Sequence, residues 1–146
     1  MEKIQFDSGV KSYRLNGGSL LRFNPGDPNV YARFLEAADK FAKVEQEMTE
    51  QARQIPNGDG AGVVQLLQDA DKQMKQILSW VFGPENDFDK ILGGINLLAV
   101  ADNGERVVTN LLSALQPILV DGAERCAKEK TDAAVVKAKA RRDAVC

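Results

Sequence analysis

The stretch Leu20-Leu21-Arg22-Phe23-Asn24-Pro25-Gly26-Asp27-Pro28-Asn29-Val30 constrains this chain more than any other. Its apolar rhythm changes there from a period of two to a helical one. Asp27 is suited to an N-cap, because its carboxylate can accept an amide hydrogen of the first helical turn. Pro28 stands at the first helical position, where a missing N–H costs nothing and a fixed φ suits the helix. A small strand region is expected to end here and a long helix to begin.

Upstream, Ile4 and Phe6 alternate over residues 3–7, Ser8-Gly9 supplies turn chemistry, and Tyr13 and Leu15 alternate over residues 11–15. This pattern predicts a β-hairpin. Asn16-Gly17-Gly18 is a second turn and leaves residues 19–23 as a candidate third strand. A sheet this small needs a helix to pack against.

Downstream, Tyr31, Phe34, Ala38, Phe41, Met48, Ala52 and Ile55 recur at steps of three, four and seven. They predict one helix from Pro28 to about Ile55, about 42 Å long at 1.5 Å per residue. Pro56-Asn57-Gly58-Asp59-Gly60 breaks it, and a second amphipathic helix is expected from about Ala61 to Phe82. The short connection implies an antiparallel helical hairpin. Gly83-Pro84 stops the second helix, residues 87–92 read as a short helical piece, and residues 95–101 fit a buried helix segment or a strand. Asp102 and Glu105 have capping-box spacing for a last helix, which Pro117 is expected to kink.

The expected class is therefore α+β, mainly α. A β-hairpin or small antiparallel sheet packs on a bundle of three to four helices, followed by a helical or frayed basic tail. Residues 1–126 form one globular domain in this reading, with the hairpin region at 1–24 and the helices at 27–126. Residues 127–146 form the tail. That tail carries Lys128, Lys130, Lys137, Lys139, Arg141 and Arg142 against three acids, while the rest of the chain has a net charge of −5. Such asymmetry hints at an electrostatic partner, although a solvated helix-prone tail explains it as well.

Chemistry is harder to find. The chain has no His, which removes the commonest general base and the commonest transition-metal ligand. Cys126 and Cys146 fit no metal spacing and no disulfide framework. Gly58-Asp59-Gly60-Ala61-Gly62 follows a helix rather than a strand and lacks the Lys-Ser or Lys-Thr of a phosphate loop. Glu85-Asn86-Asp87-Phe88-Asp89 gathers oxygens but has Ile91 and Leu92 where a calcium loop needs further groups. Asp69 and Asp71 point in different directions on a helix. No catalytic, cofactor-binding or metal-ligating residue is assigned, and an enzyme is not expected.

Trp80 and Phe82 lie at a helix end, where they form either a partner pocket or a cap on the core. Residues 138–142 carry basic charge, but the body lacks the stacking aromatics and basic face of a nucleic-acid binder. The longest apolar run, residues 95–101, is too short to cross a bilayer, and residues 1–6 lack the apolar run of a signal peptide. A cytoplasmic protein without a membrane partner is expected.

The segment from Leu20 through Phe34, with Asn86-Asp87-Phe88-Asp89-Lys90-Ile91-Leu92-Gly93-Gly94, Ile95-Asn96-Leu97-Leu98 and the final helix, resembles a family of tail assembly chaperones. These are small proteins of tailed-phage and prophage tail clusters in Gram-positive bacteria. The resemblance covers roughly residues 1–126. It implies a non-catalytic factor in the bacterial host cytoplasm that coats the long helical tape measure protein, keeps it soluble and helps recruit tail-tube subunits. A chaperone of this kind would offer an apolar groove to the client's apolar face and could oligomerise along it. Two other roles fit the same residues: a structural virion protein (neck, tail-completion or capsid-associated), and a small DNA-binding regulator using the basic tail. No partner-binding residue is carried over by name.

Overall fold

The computed structural model describes residues 1–145, with side chains described through Lys128. Strands β1 (Lys11–Arg14) and β2 (Leu20–Phe23) pair antiparallel, with Lys11 opposite Phe23 and Tyr13 opposite Leu21. The turn between them closes through the Gly18 N–H, which donates to the Leu15 carbonyl at 2.8 Å. Asn16 and Gly17 have φ of 48° and 73°, the positive values that a type I′ turn requires at both central positions.

The hairpin therefore lies one segment later than the alternation at residues 3–7 suggested. That first segment is not a strand. Gly9 has φ of 75°, its N–H is held by the Asp7 carboxylate, and Asn24 Nδ2 donates to the Ser8 carbonyl at 2.9 Å. These contacts carry the chain past the end of β2 instead of turning it back along β1. The Asn16-Gly17 turn matches the twist of paired strands, so it wins over Ser8-Gly9.

Helix α1 (Pro28–Ala52) begins as expected, with Asp27 accepting from the Asn29 N–H at 2.9 Å and Pro28 in the first turn. It ends three residues before Ile55. Pro56 disfavours helical geometry at the residue before it, and the Gln54 and Ile55 amides turn back to Gln51 and Ala52. Helix α2 (Gly60–Phe82) is N-capped by Asp59 and returns antiparallel to α1. Arg33 Nε reaches the Val81 carbonyl at 3.0 Å at one end of this pair, while Met48 and Leu66 line the same crevice at the other.

Gly83 closes α2 at φ 121°, and Asp87 caps the single turn α3 (Phe88–Ile91). Residues 95–101 resolve into neither a helix nor a strand, apart from one antiparallel bridge between Val100 and Arg106. Helix α4 (Val107–Val145) follows and runs unbroken through Pro117 and the basic tail. Asp102 and Glu105 do not cap it; both sit in the turn before it. The Val107 and Val108 amides donate instead to the carbonyls of Ala99 and Leu97, each at 2.9 Å. The preceding loop thus supplies the partners that a capping side chain would otherwise provide.

The arrangement is α+β, mainly α. Leu21 and Phe23 of the hairpin meet Met74, Leu78 and Phe82 of α2 and Leu119 of α4 in one buried cluster. The rings of Tyr13, Phe23, Phe82 and Phe88 run through it in sequence, with centroid separations of 5.0, 4.9 and 5.9 Å. Gly122 of α4 lies against the backbone of Pro25, which leaves no room for a side chain there.

Candidate functional site

The exposed side of α2 carries an open groove of about 980 Å³, bounded on the far side by Pro84, Asp87, Asp89, Gly94 and Asn96. Gln68, Lys72, Gln76 and Trp80 line it. Their spacing of four residues sets them in one row along the helix, because positions i and i+4 share a face. The row is about 18 Å long at 1.5 Å per residue.

Beneath the row is a buried polar cluster. Lys75 Nζ donates to Asp71 Oδ2 at 2.8 Å and to Asp89 Oδ1 at 2.7 Å. Asp71 and Lys75 are buried, whereas the Asp89 side chain is 69% exposed. Asp71 uses its second oxygen to accept the Leu97 N–H at 2.8 Å. Burial works against the charged form of Lys75, but hydrogen bonds and charge pairing with Asp71 and Asp89 outweigh it and hold its pKa above the usual 10.5. The hydrogen bond from Lys75, reinforced by its charge, holds Asp89 below the usual 3.8.

The hydrogen bonds limit what the cluster can do. A lysine kept protonated by two carboxylates is neither a nucleophile nor a base, and both oxygens of Asp71 are occupied. Ser79 Oγ donates to the Asn86 carbonyl at 2.7 Å. Asn96 bridges the Leu67 carbonyl and the Leu98 N–H. Together these groups clamp α3 and the loop at residues 95–98 onto α2, and so fix the far wall of the groove.

Trp80 and Phe82 have separate fates. Phe82 is buried among the core aromatics, while Trp80 is 40% exposed at the groove's end, with Lys40 Nζ 4.7 Å from its ring centroid. That distance is within cation–π range and ties α1 to the rim of the groove. Asp69 and Asp71 face apart as expected: Asp71 is buried, and Asp69 accepts from Gln65 Nε2 on the surface. Gly58 and Asp59 lie in the interhelical loop, Asp59 caps α2, and Gly60 to Gly62 form the first turn of that helix rather than a cradle. Within the acidic segment, Asp87 caps α3, Asp89 pairs with Lys75, and Asn86 binds backbone. Among the described residues, no group of His, Cys, Asp and Glu could hold a metal ion.

Neither the groove nor the backbone-binding role of Asn86 was legible from local sequence patterns. The four-residue spacing of Asp71 and Lys75 was a readable signal for the ion pair. A second, more apolar cleft of about 540 Å³ opens beside the hairpin turn, between Leu15, Leu92, Ile95, Val107 and Leu111. The side chains of Lys130, Lys137, Lys139, Arg141 and Arg142, and all of Cys146, lie outside the described residues. No helix among the described residues is long and apolar enough to cross a membrane. The chain matches no known family model, no curated protein and no solved structure.

Proposed function

We propose that this chain is a non-catalytic phage or prophage tail morphogenesis factor, a tail assembly chaperone that binds the tape measure protein and supports tail-tube assembly in the bacterial cytoplasm. The resemblance at Leu20–Phe34 and Asn86–Leu98 motivates the reading. The observation that carries it is the slanting row Gln68, Lys72, Gln76 and Trp80 that winds along α2 and lines an open groove. A row of about 18 Å matches roughly three turns of a client helix at 5.4 Å per turn. This lining is more polar than the apolar groove expected of such a chaperone; Trp80 and the methylene stems of Gln68, Lys72 and Gln76 are what it offers to a client's apolar face.

Co-expression with the tape measure protein tests the proposal. The client should stay soluble and co-purify with this chain, and Trp80→Ala together with Gln76→Glu should reduce the yield of complex. The protein should be absent from mature particles. Its presence there as a stoichiometric component would favour the structural virion role. An insoluble client with no complex recovered would overturn the chaperone reading.

A further inference from the structure

Residues 3–7 form an exposed arm outside any strand, and along it Ile4 and Phe6 alternate with polar residues in the sequence. Ile4 is 90% and Phe6 81% exposed, so neither finds cover on its own chain. The bonds around Gly9 and Asn24 direct this arm away from the hairpin that it precedes. The hairpin meanwhile has an open edge. Arg22 turns its N–H and C=O toward the Asn86 side chain, so the bonds between the strands run through the pairs Leu21–Tyr13 and Phe23–Lys11. By the same alternation, Ser12 and Arg14 aim their backbone groups out of the sheet. Among the described residues the sheet has two strands, and none lies beside β1 on that side.

We propose that the arm of one copy of this chain adds as a strand to the β1 edge of a second copy, with Ile4 and Phe6 on the Tyr13 face. Each side supplies what the other lacks: unpaired strand hydrogen bonds on the edge, uncovered apolar side chains on the arm. Charge favours the match as well. Residues 2–7 carry Glu2 and Asp7 against Lys3, a net charge of −1, whereas the hairpin carries Lys11, Arg14 and Arg22 and no acid. Leu15, just beyond β1, continues the apolar surface into the cleft beside Leu92 and Leu111. Because arm and edge are different surfaces, the contact is head-to-tail and propagates into chains or closes into rings. This association does not depend on the chaperone reading.

Light scattering across a concentration series tests it. The average mass should rise with concentration, and Ile4→Asp with Phe6→Asp should weaken the association about tenfold or more. Ser12→Pro should do the same, since it removes an outward N–H that the hairpin does not use. An equimolar mixture of the arm variant and the edge variant should form dimers and stop there, because each retains one working surface. A disulfide assay in a Cys126→Ser, Cys146→Ser background adds a second readout: Phe6→Cys with Leu15→Cys should give a ladder of cross-linked species. Cross-linking only within single chains, a monomer at every concentration, or oligomers indifferent to these variants would each overturn the proposal.

Discussion

The side-chain amide of Asn86 binds both backbone polar groups of Arg22, its Oδ1 accepting the N–H at 2.9 Å and its Nδ2 donating to the carbonyl at 2.8 Å. Nδ2 also donates to the Phe82 carbonyl at 3.0 Å. One buried side chain thus stands in for a third strand along β2 and fastens the hairpin to the end of α2. This explains how a two-stranded sheet of four-residue strands holds its place.

Replacing Asn86 with Leu keeps a similar volume but strands the Arg22 N–H and carbonyl. The Phe82 carbonyl also loses its buried bond, and an unsatisfied buried group costs about 1–3 kcal/mol, so Asn86→Leu should destabilise the fold by about 2 kcal/mol. A urea melt checks this through its midpoint. A loss below about 0.5 kcal/mol would mean that water serves these groups equally well.

The two carboxylates on Lys75 should differ sharply in what their removal does. Asp71→Ala leaves the Leu97 N–H without its acceptor and a buried ammonium with one partner fewer. Breaking a buried pair in this way costs about 3 kcal/mol. Asp89 is solvent-exposed, and its loss should cost distinctly less, since water screens and replaces it. Paired thermal melts of the two variants give the comparison, and equal losses would refute it.

The same pair sets a pH window. Lys75 has a higher pKa folded than its usual 10.5, so its stabilisation is complete below 10.5 and is lost as pH rises through the folded value. Asp89 has a lower pKa folded than its usual 3.8, so its contribution is present above 3.8 and is lost as pH falls through the folded value. The stability gap between wild type and Asp89→Asn should therefore hold steady across neutral pH and close on the acid side. A gap that persists unchanged to the acid limit of folding would show that the ion pair is not its source.

What was legible in the sequence is what local chemistry decides. Asp27, the N-cap expected from its place before Pro28, caps the helix that follows. Asp59 and Asp87, not expected as caps, do the same, because a cap bonds amides only two or three residues away. Features that depend on distant partners were not legible. The alternation at residues 3–7 met the pattern of a strand, but a strand needs a neighbour, and Gly9 and Asn24 carry the chain away from one. Asp102 and Glu105 have the spacing of a capping box, yet carbonyls at Leu97 and Ala99 had already taken the helix amides. Nothing near Asn86 announces a partner as remote in the chain as Arg22. The groove is equally non-local, since its far wall exists only once Asp71 has bound Leu97.

Gly122 offers a test of how α4 is seated against the strand-to-helix junction. A Cβ there would collide with the Pro25 carbonyl, and the obstacle is backbone rather than a side chain that can swing aside. Pro25 also lies two residues before Asp27, whose cap position fixes the start of α1. Relief by moving Pro25 would disturb that cap, and relief by moving α4 would lift Leu119 from the core. Gly122→Ala should therefore destabilise the protein by about 1–3 kcal/mol, the usual range for overpacking, although alanine is the better helix former by about 1 kcal/mol. Calorimetry distinguishes the two effects by sign. A raised melting temperature would mean that helix propensity prevails and that α4 does not press on the junction.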